Sequence, residues 1–352
     1  MGRSPSNDRL VRVLAVAAVA GAVLLWSLIL VARAGAAATS SNWDTAQQRQ
    51  VVAAHLMSNV GRSFSGGSQL SPTQANSAMA ALARRTPALT GDTVATITRV
   101  TRGPVTVTGF DRMVVLQLGL GDVASHVQSV AAGVGLRPPS YFGTEVVARS
   151  LGLRYDHPAG TDQLELFPFN PITRAEAAWS FAQILKFSDW QVSYARQTLS
   201  GFALPTMSAD QLTALRIAVS RIGYPYVWGG TTDDTSDGLA HGGFDCSGFA
   251  WRVYKVSGLS WGTKIRGRTA AQQAGEIPRS QRLKMSQLKP GDLLFFGSAA
   301  FTSRATEANV THEGIYLGDN WVIHSSGQGV YVEPLNGSWL GDEFAWGRRV
   351  IS

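Results

Sequence analysis

The stretch Phe244-Asp245-Cys246-Ser247-Gly248-Phe249 is the part of the sequence from which the fold is inferred, and it holds the one cysteine among 352 residues. Apolar residues continue at helical spacing as far as Val256, and Gly258 follows them. The sequence therefore predicts a helix that begins at Cys246, with Asp245 as its N-cap. Free backbone N–H groups in a first helical turn favour an anion, so we expect a lowered thiol pKa and a nucleophilic cysteine. The alternative is an inert core cysteine.

Two histidines follow Cys246, each in a short run that is typical of a β-strand. His312 lies in residues 311–317 and His324 in residues 321–324, with Gly318-Asp319-Asn320 between the runs. Because side chains alternate along a strand, both histidines would share one face of a hairpin, directly opposite or one diagonal step apart. One imidazole can then take the thiol proton while the second orients the first. The other face would pack on a core, and it carries Ile315, Leu317, Trp321 and Ile323.

Five blocks in this order resemble the NlpC family of papain-like cell-wall peptidases. They are residues 223–230 (GYPYVWGG), 244–249 (FDCSGF), 288–296 (LKPGDLLFF), 312–318 (HEGIYLG) and 323–324 (IH). The resemblance covers residues 208–352 and implies a Cys helix packed on an antiparallel sheet. It implies Cys246 as nucleophile, His312 as base and His324 as the orienting residue. It also implies further site residues: Tyr226 near the oxyanion, and Asp245 and Ser247 at the amino end of a peptidoglycan stem peptide.

The N-terminal segment predicts delivery out of the cytoplasm. Residues 13–32 form an uncharged segment that is long enough to cross a bilayer, and Arg3, Arg9 and Arg12 precede it. We therefore expect a cytoplasmic tail at 1–12, a transmembrane signal anchor at 13–32, a linker at 33–42 and the remainder outside the cell membrane. Small residues at 34–38 leave open a cleaved signal peptide and a secreted protein.

Composition narrows the class of partner. The net charge is +7 and the pI is about 9.8, which favours an anionic partner. No cluster in the sequence resembles a nucleic-acid module, so wall polymers or lipid head groups fit better than nucleic acid. A single cysteine excludes an internal disulfide. The chain must therefore be stable without one.

Residues 43–197 predict a mainly helical wall-binding or spacer region, followed by a linker at 198–207. Capping boxes begin at Ser71 and Thr173, where a hydroxyl is followed three residues later by Gln or Glu. The second box, within residues 145–178, is similar to an S-layer homology repeat, a family that binds anionic secondary wall polymers. That resemblance implies wall-polymer contacts by Thr173, Arg174 and Glu176. The alternative is that these three residues only start a structural helix.

The sequence thus predicts an α+β protein: an NlpC-type catalytic domain at 208–352, preceded by the S-layer-homology-like helical region and one N-terminal transmembrane helix. The predicted function is a membrane-tethered cysteine endopeptidase that cleaves peptidoglycan stem peptides through a thioester acyl-enzyme. The resemblance points to the bond between D-glutamate and the diamino acid. One alternative is a wall-binding scaffold without turnover. Another is a zinc site formed by Cys246, His312, His324 and His241. Structural zinc ligands usually come in closely spaced pairs, which are absent here, so no metal or cofactor is expected.

Overall fold

The structure is a computed structural model that describes residues 43–85 and 103–351. The predicted anchor at 13–32 and its flanks at 1–12 and 33–42 lie outside this range. Within the range, no helix has both the length and the apolar character needed to cross a membrane. Residues 44–352 form one compact unit. The helical region and the catalytic region share one continuous apolar core, so they are not two bodies on a flexible tether.

Helices make up most of the described residues before position 220. Two of them begin at hydroxyl caps that the sequence predicts: the Ser71 backbone N–H donates to Gln74 Oε1 over 3.0 Å, and Thr173 Oγ1 accepts from the Glu176 N–H over 3.2 Å. Both predicted helix starts are confirmed. The helices of this region are α1 Thr45–Ala53, α2 Pro72–Arg85, α3 Val107–Gln117, α4 Gly121–Gly133, α5 Phe142–Ser150, α6 Arg174–Ile184, α7 Asp189–Ser200 and α8 Ala209–Val219.

The segment at 198–207 differs from its predicted role as a linker. Its first residues complete α7, which ends at Ser200. Phe202, Leu204 and Met207 are then buried in the common core. Three apolar side chains in ten residues gain more from burial than from exposure, so the segment packs as a fixed connection.

The rest of the chain is an antiparallel sheet with short helices against it. The sheet has the strand order β6-β5-β4-β3-β7, which places β4 at its centre, and β1 and β2 form a separate pair. The strands are β1 Thr231–Thr232, β2 Gly243–Phe244, β3 Leu293–Phe296, β4 His312–Gly318, β5 Trp321–Ser326, β6 Gly329–Pro334 and β7 Phe344–Arg348, and the helices are α9 Cys246–Lys255, α10 Ala270–Gly275 and α11 Trp339–Asp342.

The predicted hairpin is confirmed in β4 and β5. The turn residues Asp319 and Asn320 have φ values of 46° and 76°, a left-handed conformation that these two residue types tolerate better than most. Ile315 pairs with Ile323 across the strands, which sets His312 one diagonal step from His324. The four apolar residues predicted to face a core do so: Ile315, Leu317, Trp321 and Ile323.

The predicted helix at Cys246 is confirmed as α9. Asp245 Oδ1 accepts from the Gly248 N–H over 2.6 Å, so the aspartate caps the helix as expected. α9 packs against β4 and α8. Gly248 allows a close approach of the helix to a neighbouring loop, because a Cβ at this position would lie 1.9 Å from the Gly230 carbonyl oxygen. This close packing fixes the first turn of α9, which contains Cys246, against the loop at Gly230.

Arg149 ties the helical region to the catalytic region. From α5, its guanidinium donates to the Gly223 carbonyl oxygen over 2.8 Å and to the Gln328 carbonyl oxygen, and it pairs with Glu145 over 3.1 Å. The Gln328 amide also donates to the Arg154 carbonyl oxygen over 2.9 Å. Gln328 lies in the turn between β5 and β6. The helical region therefore fixes the hairpin that carries His324.

Candidate active site

Cys246 is the first residue of α9 and lies against the central strand. Its surroundings include the backbone N–H groups of Ser247 and Glu313, which favour the thiolate. Burial nevertheless raises the pKa of the Cys246 thiol to about 12, and the carboxylates of Glu313 and Asp245 act in the same direction. The expectation of a lowered pKa is therefore wrong, because lost hydration outweighs the effect of the helix terminus. The thiol keeps its proton at neutral pH.

His312 on β4 and His324 on β5 are in direct contact with each other. Nε2 of His312 lies 2.7 Å from Nδ1 of His324. His324 is fully buried and His312 is 9% exposed. Burial lowers the pKa of His312 well below its usual value, and His324 adds to this. His312 is therefore neutral at physiological pH, which is the state that a general base requires.

Glu333 extends this pair and was not found by the sequence analysis. Nε2 of His324 lies 2.9 Å from Oε1 of Glu333, at ion-pair distance, although the approach is too bent to count as a regular hydrogen bond. The same Oε1 accepts from the Trp339 indole N–H over 3.0 Å and from the Tyr331 hydroxyl over 3.1 Å. The available signal was weak: an acidic residue two positions after Tyr331 at the end of an alternating strand.

Asp245 and Ser247 are engaged by Arg268, another residue that sequence analysis missed. Arg268 Nη2 lies 2.8 Å from Asp245 Oδ2, and its Nη1 lies 3.0 Å from both Asp245 Oδ1 and Ser247 Oγ. Asp245 and Ser247 are themselves buried. Their contact with the amino end of a stem peptide stays a prediction. A substrate ammonium would meet a carboxylate that already has a cation.

Tyr226 lies beside the first turn of α9, and its role near the oxyanion stays a prediction. It forms a backbone bridge with Phe244. Burial raises the pKa of the Tyr226 hydroxyl, and the neighbouring Cys246 and Asp245 contribute further. Tyr226 also lines a small polar cavity together with Tyr155 and Asp156 of the helical region. The helical region thus reaches the neighbourhood of the cysteine.

Glu313 follows His312 in the central strand and points to the α9 side of the sheet. It is fully buried, and neither carboxylate oxygen has a hydrogen-bond partner among the described residues. Burial raises its pKa well above the usual value, with Asp245 adding to the rise and Arg348 opposing it. Glu313 is therefore an uncharged acid beside the thiol at neutral pH.

We expect Glu313→Gln to lower the pKa that governs alkylation of Cys246. Once Glu313 ionises at alkaline pH, its charge opposes the thiolate, and glutamine removes that charge while keeping the shape. Each unit by which the thiol pKa falls raises the thiolate fraction about tenfold. The measurement is the rate of iodoacetamide labelling between pH 7 and 11. Glu307→Gln, at an exposed glutamate, is the control. Identical profiles for Glu313→Gln and wild type would contradict the expectation.

His241, the fourth residue of the zinc alternative, has other contacts. Its ring stacks on Phe167 with centroids 5.0 Å apart, and Nδ1 lies 2.7 Å from the Gly242 carbonyl oxygen. Across residues 43–85 and 103–351, no group of three or more His, Cys, Asp or Glu side chains is arranged to hold a metal ion. The described residues give the zinc alternative no support.

The three residues predicted to bind wall polymer do not form a surface site. Arg174 is 1% exposed and Glu176 is 6% exposed. Arg174 donates to the Phe64 and Ser58 carbonyl oxygens, Glu176 pairs with His157 over 2.8 Å, and Thr173 caps α6. Arg174 thereby joins α6 to the segment around residue 60. Burial of Arg174 and Glu176 argues against polymer binding by these two side chains, and the capping alternative fits the contacts of Thr173.

We accordingly expect Arg174→Ala to reduce stability. The change leaves the Phe64 and Ser58 carbonyls without a donor and removes a guanidinium that lies 4.6 Å from the Phe64 ring centroid. Buried groups without partners cost about 1–3 kcal/mol each, so we expect a loss of about 2–4 kcal/mol in the free energy of unfolding. Urea denaturation measures it, with the exposed Arg84→Ala as control. Equal stability of both variants would contradict this.

The candidate site thus combines a cysteine at the start of a helix with a histidine pair on the antiparallel sheet against which that helix packs. Residues 223–349 match the NlpC/P60 family, so this part of the chain is an NlpC/P60 domain.

The chain is also similar to known proteins. The chain is 33% identical over 131 residues to a probable endopeptidase of Mycobacterium tuberculosis, covering 37% of this chain and 27% of that protein. It is 31% identical over 151 residues to a gamma-D-glutamyl-L-lysine dipeptidyl-peptidase of Bacillus cereus, covering 42% of this chain and 38% of that protein. It is 33% identical to the solved NlpC/p60 domain of the peptidoglycan hydrolase SagA, with a TM-score of 0.29, covering 40% of this chain and 97% of that one. The chain thus matches about a quarter to two fifths of these curated relatives' lengths.

Proposed function

We propose that this protein is a cell-wall hydrolase, a cysteine endopeptidase that cleaves peptidoglycan stem peptides. The observation that carries the proposal is the contact between His312 and His324 on strands that pack against α9, the helix that begins with Cys246. In this proposal Cys246 is the nucleophile, His312 is the neutral base and His324 is the orienting group. The match of residues 223–349 to the NlpC/P60 family, and the likeness to a probable peptidoglycan endopeptidase, support the choice of substrate.

The proposed reaction starts from an uncharged thiol and an uncharged imidazole. His312 takes the Cys246 proton as sulfur attacks the peptide carbonyl carbon, and the carbonyl oxygen becomes an oxyanion. Backbone N–H groups at the start of α9 and the Tyr226 hydroxyl are the nearby donors for that charge. The His312 proton then passes to the leaving amine as the C–N bond breaks, which leaves a thioester. Water, activated by His312, hydrolyses the thioester and restores the thiol.

The substrate bond is proposed by analogy with the Bacillus cereus relative. That relative is named for its action on a gamma-D-glutamyl-L-lysine linkage, so we propose that this chain cleaves between D-glutamate and the diamino acid. Purified peptidoglycan digested with the full protein, with fragments weighed by mass spectrometry, tests this. Fragments that end at D-glutamate support the proposal. Undigested peptidoglycan that retains the bound protein would favour the scaffold alternative instead.

We also propose that the protein acts outside the cytoplasm, held by residues 13–32. The arginines before this apolar segment and the likeness to a probable peptidoglycan endopeptidase support that location. Protease treatment of intact spheroplasts tests it, because an external catalytic domain is digested while a cytoplasmic one is protected. Mass spectrometry of the mature N-terminus distinguishes a retained anchor from cleavage at residues 34–38. A protected catalytic domain would overturn the proposed location.

A further inference from the structure

Glu333 lies at the far end of a line of polar contacts that starts at His312. Nε2 of His312 is 2.7 Å from Nδ1 of His324, and Nε2 of His324 is 2.9 Å from Oε1 of Glu333. Among the described residues, His324 Nε2 has no other partner. The three side chains come from three adjacent strands, β4, β5 and β6. The order of contacts is therefore fixed by the sheet.

We propose that Glu333 is a positioning residue that sets the direction of proton transfer by selecting one tautomer of each histidine. This deepens the proposed function, on which its catalytic consequence rests. As a carboxylate, Glu333 can only accept, so His324 places its proton on Nε2. Nδ1 of His324 is then an acceptor, and His312 must donate from its own Nε2. Nδ1 of His312 is left with a free lone pair, the form that can take a thiol proton.

The surroundings of Glu333 hold it in this role. The Trp339 indole N–H and the Tyr331 hydroxyl both donate to its Oε1, so the carboxylate cannot rotate away without leaving two donors unpaired. The Tyr331 ring also covers His324, with centroids 4.4 Å apart, and the Trp339 ring lies 5.2 Å from that of His312. His324 itself is fully buried. Solvent therefore does not set its tautomer.

The substitution Glu333→Gln would remove this selection of histidine tautomers. The glutamine amide can turn to donate to Nε2 of His324, which then carries its proton on Nδ1 and donates to Nε2 of His312. In that arrangement His312 carries its proton on Nδ1 and presents N–H to the thiol, so it cannot act as the base. A wrong tautomer in a catalytic triad costs as much as about 10⁴-fold in turnover. Because glutamine can also keep the original orientation, we expect a loss of about 10- to 1000-fold in kcat for Glu333→Gln, at nearly unchanged KM.

The decisive measurement is the ¹⁵N spectrum of the two imidazole rings in the full-length protein, which distinguishes Nδ1–H from Nε2–H directly. We expect Nε2–H for both rings in wild type, and a mixture or a reversal in Glu333→Gln. Glu333→Asp, which keeps an acceptor-only carboxylate, should retain more of the Nε2–H form than glutamine does. Glu343→Gln, at an exposed glutamate in the same segment, is the matched control and should match wild type in spectrum and kcat.

The outcomes separate this inference from the proposed function. Nδ1–H on His324 in wild type would overturn the inference, and that measurement needs no variant to fold. Wild-type tautomers and wild-type kcat in Glu333→Gln would overturn it as well, even if Cys246→Ala is inactive and the proposed function stands. If no hydrolysis is found for any form of the protein, the proposed function fails, and the ring tautomers still decide whether Glu333 selects them.

Discussion

Replacing Cys246 with alanine is expected to abolish hydrolysis of peptidoglycan stem peptides, with a loss of about 10⁴-fold or more in kcat. No other cysteine exists in the chain, so no second sulfur can form the thioester. The fold is expected to survive, because Asp245 still caps α9 and alanine suits a first helical turn. Release of stem-peptide fragments, followed by chromatography, measures the effect, and circular dichroism checks the helix content.

His312→Ala should approach the same loss, since the thiol pKa of about 12 leaves almost no thiolate at pH 7 without a base. His324→Ala should lose less, because it acts through His312. His126→Ala is the matched control: this exposed histidine lies on α4, and its Nε2 is 3.0 Å from the Phe202 carbonyl oxygen. Turnover by Cys246→Ala at the wild-type rate would disprove the cysteine-peptidase mechanism. Equal, mild losses in all three site variants would indicate a binding protein.

Replacing Arg149 with methionine is expected to reduce the free energy of unfolding by about 3–5 kcal/mol, which is typical of removing one partner from a buried ion pair. The change leaves the Glu145 carboxylate and the Gly223 and Gln328 carbonyls without their donor, and Glu145 is fully buried. Activity should fall as well, because Gln328 anchors the turn between β5 and β6. Urea denaturation followed by tryptophan fluorescence measures the loss.

Arg196→Met provides the control for Arg149→Met. Like Arg149, Arg196 pairs with a carboxylate, here that of Asp122, but these two side chains are 43% and 68% exposed. Exposed ion pairs contribute about 0–1 kcal/mol, so this variant should unfold near the wild-type midpoint. The same small shift for both variants would show that Arg149 does not join the two regions of the chain.

The parts of the structure that were predicted correctly depend on neighbours in the sequence. Caps at Asp245 and Thr173 act within three residues, and the hairpin at Asp319-Asn320 follows from the turn residues and the alternation of apolar side chains. Such patterns are readable without knowing the fold. They were enough to place Cys246 on a helix and both histidines on one face.

The features that were missed or wrong depend on contacts across long stretches of sequence. Arg268 reaches Asp245 from 23 residues away, and Arg149 reaches Gln328 from 179 residues away. The raised thiol pKa follows from burial of Cys246, which no local pattern reports. Arg174 looked like a surface cation because arginine is rarely buried without a partner. Its partners are backbone carbonyls, and these leave no signal in the sequence.

Oxidants attack thiolates faster than thiols, because oxidation of sulfur follows thiolate character. Burial keeps Cys246 in the thiol form, so peroxide meets a poor target while the site holds no substrate. A sulfenic acid at this position could not form a disulfide within the chain, since there is no second cysteine. The environment that makes the nucleophile dependent on its base therefore also protects it from irreversible damage. That protection matters most in the oxidising space to which residues 13–32 are predicted to direct the chain.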